Sequence, residues 1–213
     1  MKKRVLKGPI RDKEKTMEKL LKAVGEILTI HGFSALKVND LAKFSGVNKR
    51  LIYEYFGSMD NLVDSYIKQQ DYWNVLKKIE IPKGDDNGEL LVKGILKGQF
   101  DEMGSNKELQ KIMLWDLSEK REVLKQQVDE REANGEQIFQ NLLDPFFKEK
   151  SKFFRAITAL IISGSYYLNM SKEANGTYFC GLDINSENDR KEIKDAIDFM
   201  IEKAYQEKKN KIL

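Results

Sequence analysis

Apolar residues recur along this chain at helical spacing almost from end to end. Met17, Leu20, Leu21, Val24, Ile27 and Leu28 follow the i, i+3, i+4, i+7 pattern and predict a first helix from about Lys13 to His31, with Asp12 as its N-cap. Gly32 supplies the C-terminal cap, and Phe33 is placed to fold back on the last turn. Two short helical stretches follow, Val38 to Phe44 and Asn48 to Phe56, joined by Ser45-Gly46-Val47. Ala42 is small where two helices must cross, Gly46 can adopt the left-handed conformation that ends a helix abruptly, and Ile52 is an apolar anchor flanked by Val47 and Phe56. A tight helix-helix corner needs a small residue, a turn glycine and an apolar anchor at about these offsets, so the stretch reads as a helix-turn-helix, with an ordinary helical hairpin as the competing reading.

The pattern continues in longer elements. A helix capped by Ser58 runs through Leu62, Tyr66 and Trp73 toward Leu76, and the turn formers from Ile81 to Gly88 break the chain. Helices are predicted from about Glu89 to Met103 and Lys107 to Leu117. A highly charged helix or helix pair spans Lys120 to Leu143, with Asn134-Gly135 as a kink and Pro145 limiting its end. From Lys152 to Met170 a helix is apolar nearly all round, which implies burial on two faces. Glu173 to Asn188 reads as a long loop containing Cys180. A last helix, Asp189 to Lys208, carries Ile193, Ala196, Ile197, Met200, Ile201, Ala204 and Tyr205 on one face. The predicted fold class is all-α.

Composition adds three constraints. With 213 residues, 41% hydrophobic and 33% charged, the chain can bury a core and is expected to be a helix-rich soluble protein. No apolar run approaches the ~20 residues of a membrane span, so no membrane partner is expected. The basic N-terminus lacks the apolar segment of a signal peptide, and a single cysteine excludes an internal disulfide, so the expected compartment is the cytoplasm. The net charge of +3 is unevenly distributed: Met1 to Phe56 holds 13 Lys+Arg against 6 Asp+Glu, or +7, and the remainder holds 24 against 28, or −4. A basic module on a near-neutral body is the electrostatic footprint of nucleic-acid binding. Lys2, Lys3, Arg4, Lys7 and Arg11 lie in a leader, residues 1–11, in which Gly8-Pro9 argues against helix; it reads either as an arm contacting DNA or as a solvated tail.

Gly32-Phe33, Val38-Asn39-Asp40-Leu41-Ala42, Gly46-Val47-Asn48-Lys49, Ile52-Tyr53-Glu54-Tyr55-Phe56 and Ser58-Met59-Asp60-Asn61-Leu62 form a continuous stretch that resembles the N-terminal domain of the TetR family of bacterial transcriptional regulators. The resemblance implies a three-helix helix-turn-helix DNA-binding domain over residues 12–58 and a larger helical effector-binding and dimerisation domain over 59–213. It also implies a homodimer, a double-stranded DNA operator and a small-molecule effector, expected here to be apolar and to release a repressor from its operator.

Lys49 and Arg50 occupy the N-terminal end of the recognition helix, where side chains can donate to guanine O6 and N7 or to phosphate. Asn48 reads as DNA contact or helix cap. Tyr53 and Tyr55 match positions where the family places a ring on the DNA backbone; packing on the first helix is the competing role, more so for Tyr53. Leu51 stands where a hydroxyl residue is common in the family and could touch a thymine methyl. Asn39 and Met59 stand where a basic residue is frequent, a loss that Lys37 and the leader offset. Trp73, Phe100, Met103, Met113, Trp115, Phe139, Tyr166 and Tyr167 lie on helices that would line the pocket, with core packing as the alternative. The last two long helices, through Ile157, Ile161, Gly164, Ile197, Met200 and Ile201, would form a four-helix dimer interface.

Enzyme chemistry is not expected. One histidine, His31, and one cysteine, Cys180, cannot build a metal cluster or a Cys-His pair of evident spacing, and there is no phosphate-cradling glycine loop. His31 reads as structural, and no basic residue near Cys180 would stabilise a thiolate. No catalytic residue, metal or cofactor is predicted. Two functional readings remain: an effector-responsive transcriptional regulator, and a helical ligand-binding or interaction protein whose DNA-binding domain is weakened.

Overall fold

The computed structural model describes residues 9–70 and 86–210, and these divide into two compact units. The described residues of the first unit lie in 9–70 and 111–127. Helix α1 (Pro9–His31) starts three residues before the predicted cap, and Asp12 lies in its first turn rather than at the cap. Pro9 explains the difference: a proline at the first helical position lacks an N–H that has no partner there anyway, so it starts a helix rather than forbidding one. Residues 1–8 of the basic leader lie outside the described residues. Leu20, Leu21, Val24, Ile27 and Leu28 are buried as the spacing predicts. Gly32, at φ 77°, donates its N–H to Leu28 O and ends the helix.

Helix α2 (Val38–Ser45) ends at Gly46, which is left-handed at φ 66°. Helix α3 (Lys49–Phe56) is capped by Asn48, whose side chain accepts from the Arg50 N–H at 2.9 Å. Ser58 caps α4 (Met59–Gln69) in the same way by accepting from the Asn61 N–H. The fully buried Leu41, Ile52, Leu62 and Ile67 join the α1 stripe in one core. The predicted extension of α4 through Trp73 to Leu76 falls outside the described residues.

The same core includes Ile112, Trp115, Val123 and Leu124. Trp115 stacks on Phe33, ring centroids 5.3 Å apart, so Phe33 is fixed by this indole. Arg121 donates to Asp64 at 2.7 Å and to Asp60 on α4, and its guanidinium lies over the Trp115 ring.

The second unit takes in described residues 86–110 and 128–210. Its helices are α5 (Glu89–Ser105), the first turn of α6 (Lys107–Ser118), the C-terminal part of α7 (Glu122–Ile138), a short α8 (Asp144–Phe147), α9 (Ser151–Asn175) and α10 (Glu187–Asn210). Helix α7 continues unbroken through Asn134-Gly135. The irregularity comes later, as a π-helical turn over Phe139–Leu143. Pro145 accounts for it: it has no N–H to continue the α-helical ladder, and a widened turn absorbs the mismatch. Phe147, Phe154 and Tyr205 pack as an aromatic cluster at the centre of this unit's core. Asn169, fully buried, donates to Phe100 O and accepts from Arg190, tying α5, α9 and α10 together. The predicted loop before α10 contains a two-residue hairpin, Tyr178–Phe179 with Leu182–Asp183, turning at Cys180 and Gly181 with φ 50° and 82°. Both turn residues have positive φ, as a tight hairpin turn demands.

Candidate functional site

The first unit presents its recognition helix to solvent. Ile52 anchors α3 in the core, and Lys49, Arg50, Tyr53 and Glu54 of this short helix are exposed. Lys37 and Asn39, at the start of α2, are also exposed, and Lys49 Nζ approaches Asn39 Oδ1 at 3.5 Å. Asn48 is occupied as a cap. Leu51 is half-buried, which limits what its side chain can offer a base edge.

The two tyrosines exchange their expected roles. Tyr53 is 52% exposed and projects from the helix, whereas Tyr55 is half-buried under Lys13 of α1, whose Nζ lies 5.2 Å from the ring centroid. The reason is angular. Tyr53 follows Ile52 by one position, about 100° round the helix and out of the core, while Tyr55 lies three positions on and returns toward the core side. Met59 is half-buried against the core of this unit.

The second unit contains a cavity of about 370 Å³. Gln99 of α5, Arg131, Glu132, Gly135 and Glu136 of α7, Phe139 of the π-turn, and Arg155, Thr158, Ala159, Ile162, Ser163 and Tyr166 of α9 line it. The α9 residues recur at intervals of three and four and so form one helix face. Arg155 organises one wall. It donates to both Glu136 oxygens, at 2.5 and 3.0 Å, and to both Asp144 oxygens, at 3.2 and 2.6 Å, with its guanidinium 4.2 Å from the Phe139 ring centroid. Ser151 also donates to Asp144. These bonds hold the Glu136 and Asp144 carboxyls below their ordinary pKa values and keep Arg155 charged. Arg131 pairs with Glu132 at 2.8 Å. Burial pushes the Tyr166 phenol up to about 12.

Of the residues expected in a pocket, Phe139 and Tyr166 line this cavity. Phe100 and Met103 are buried core of the second unit. Met113 and Trp115 belong to the first unit, where Trp115 is fixed by Phe33 and Arg121. Tyr167 is one position beyond Tyr166 and turns to solvent, 54% exposed, against Phe179. Trp73 lies outside the described residues. Charged and hydroxyl-bearing side chains share the lining with Phe139, Ala159, Ile162 and Tyr166, and the exposed surface of the wall is apolar in the greater part. Sequence reasoning missed Gln99, Arg131, Glu136 and Arg155 because charged residues on a charged helix look solvated; the glycine at position 135 was the available signal, read there as a kink.

Four of the expected dimer residues are occupied within the second unit: Ile161, Ile197 and Ile201 are buried in its core, at 5%, 2% and 0% exposure, and Ile157 packs against it. Gly164 and Met200, both expected at the interface, are open, and the exposed apolar side chains near them are Phe153, Leu160 and Tyr167 on α9 and Phe199 on α10. An all-round apolar helix does not reveal which of its faces its own subunit covers.

Among the described residues no helix is long and apolar enough to cross a membrane, and no group of three His, Cys, Asp or Glu side chains is arranged to hold a metal ion. No curated protein matches the chain. The profile for bacterial regulatory proteins of the TetR family matches residues 16–66. Among solved structures, a Rhodococcus sp. protein assigned to the TetR-family transcriptional regulators is similar over 88% of this chain and 99% of its own, at 18% identity and a TM-score of 0.54. NalD of Pseudomonas aeruginosa, described as the secondary repressor of the MexAB-OprM multidrug efflux pump, is similar over 87% and 95% of the two chains, at 17% identity and a TM-score of 0.49. The matched stretch runs from within α1 into α4 and takes in the turn glycine, the Asn48 cap and the exposed α3, and residues 16–66 are those of the N-terminal region of the TetR family of bacterial regulatory proteins.

Proposed function

We propose that the protein is a dimeric DNA-binding transcriptional regulator, a repressor whose hold on its operator is released by a small molecule taken up in the second unit. The observation that carries the DNA-binding reading is the α3 surface. Lys49, Arg50 and Tyr53, with one carboxylate, Glu54, are exposed on a helix held to the core by a fully buried isoleucine. On this reading Arg50 contacts a base edge, Lys49 and Lys37 contact phosphate, and Tyr53 lies along the backbone. Asn48 acts through the cap that fixes the start of the helix. A dimer seated through Phe153, Leu160, Tyr167 and Phe199 would present two such helices to successive major grooves.

The cavity supports the effector part. Helix α7 belongs to both units: residues 122–127 pack in the first and 128–138 in the second. The same helix therefore carries Val123 and Leu124 in the core that Ile52 of α3 also joins, and Arg131, Glu132, Gly135 and Glu136 in the cavity wall. A ligand that shifts α7 would disturb the footing of the recognition helix, and linkage requires that DNA weaken ligand binding by the same factor.

A gel shift with DNA from upstream of the chain's own coding sequence tests the reading. A discrete shifted band, competed poorly by random duplex, is expected. Its absence together with intact helical content would favour the alternative of a ligand-binding protein with a weakened DNA-binding domain, which Asn39 and the half-buried Met59 would then explain.

A further inference from the structure

Helix α1 begins at Pro9, ahead of the stretch matched by the family profile, which starts at residue 16. In these added turns Lys13 continues the face that carries Met17, Leu20, Val24 and Ile27, at the spacing of the buried stripe. Leu20, Val24 and Ile27 are buried, Met17 is half-buried and Lys13 is exposed, so the stripe rises out of the core at this end. Its continuation meets the recognition helix: Lys13 Nζ lies 5.2 Å from the ring centroid of Tyr55, in the last turn of α3. Asp12 and Glu14, one position to either side, are turned about 100° away.

The ring does not use up the cation. A lysine lying along an apolar face keeps its ammonium in water, and this ammonium has three donors and no carboxylate partner among the described residues. Lys22, further along α1, differs: it pairs with Glu26 at 3.5 Å. Attraction to a ring is weak at an exposed site, so it favours one position of a flexible side chain without burying its charge. Lys49 and Arg50 open α3, and Tyr55 lies about 7.5 Å further along its axis than Arg50. Positive charge thus stands at both ends of the recognition helix. A helix in a major groove about 12 Å wide runs between two phosphate backbones, and a cation at its trailing end is placed to meet one of them. It would replace one of the charges that Asn39 and Met59 lack.

On the reading of α3 as the DNA-facing helix, we infer that Lys13 is a phosphate-binding residue of the DNA interface, held at the trailing end of the recognition helix by the Tyr55 ring. The interface then extends to a part of α1 that lies outside the matched stretch, and Tyr55 acts as a positioning residue, through Lys13 rather than by touching DNA itself.

Titration of the full chain against the labelled upstream duplex and a random duplex, over a series of salt concentrations, tests this. Each phosphate contact contributes about 0.9 to the slope of log affinity against log salt. Lys13→Gln should flatten the slope by that amount and weaken both duplexes alike, by roughly eightfold near 0.1 M salt, because a phosphate carries no sequence information. Lys22→Gln, which removes a paired cation elsewhere on α1, should keep the wild-type slope. Tyr55→Phe keeps the ring and should bind as wild type does. Tyr55→Leu should lose part of what Lys13→Gln loses, and the double variant should lose no more than Lys13→Gln alone. A Lys13→Gln protein with the wild-type slope, or one weakened on the upstream duplex only, overturns the inference while the α3 reading stands. A folded Tyr55→Leu protein with the wild-type slope overturns the positioning role. Wild-type protein that binds neither duplex overturns the α3 reading and the inference with it.

Discussion

A methyl group added at Gly25 would collide with the ring and hydroxyl of Tyr66, because α1 and α4 approach each other there. Gly25→Ala should therefore cost about 1–3 kcal/mol by overpacking, read as a lower midpoint in chemical unfolding. Gly135 is the opposite case. Gly135→Ala should gain up to about 1 kcal/mol, since the helix loses a flexible residue and nothing is struck. Arg155 gives a residue-scale effect of pH. Its hydrogen bonds lower the folded-state pKa values of Glu136 and Asp144 from their ordinary 4.5 and 3.8. Groups with lowered folded values contribute stability that is complete above about pH 5 and is lost as pH falls through those lowered values. Arg155→Met should thus unfold at a lower temperature than wild type at about pH 7, and the difference should shrink as pH falls below the ordinary carboxylate range.

At the scale of elements, the amphipathic helices were legible and their partners were not. The α1 stripe, the Gly32 and Gly46 caps, the Ser58 cap and the buried Ile52 follow from local rules, since period and capping chemistry act within a few residues of themselves. The sequence could not assign the two faces of α9, because both are apolar and only the tertiary fold decides which one its own subunit covers. The hairpin at Cys180 escaped because cysteine is not a turn former, although its neighbour Gly181 is. The tyrosines of α3 were assigned by likeness when the rotation from Ile52 would have ranked them correctly. The corrected α9 face has a direct consequence. Leu160 is 74% exposed, so Leu160→Asp should leave the fold intact and convert a dimer to a monomer in sedimentation, whereas Ile161→Asp buries a charge and should unfold the chain. A wild-type chain that sediments as a monomer at micromolar concentration would contradict the proposed dimer.

At the scale of the whole molecule, the basic excess before residue 57 and the near-neutral remainder match the proposed division of labour between DNA and effector. The two compact units do not follow a single cut in the chain: residues 111–127 return to the N-terminal unit. No local signal in the sequence announces that return, because it depends on Trp115 meeting Phe33 and Arg121 meeting Asp64 across long separations. The interface for DNA rests on few side chains, so each is exposed to test. The most direct measurement is fluorescence anisotropy of a labelled upstream duplex titrated with wild-type protein and with Arg50→Ala, over a series of salt concentrations. Wild type should bind this duplex on the order of 10³-fold more tightly than a random one and weaken steeply with salt. Arg50→Ala should lose about 1–3 kcal/mol on the specific duplex and much less on the random one. Equal affinity of the wild-type protein for both duplexes, or an Arg50→Ala protein that binds the upstream DNA as well as wild type does, would contradict the assignment of α3 as the element that reads DNA.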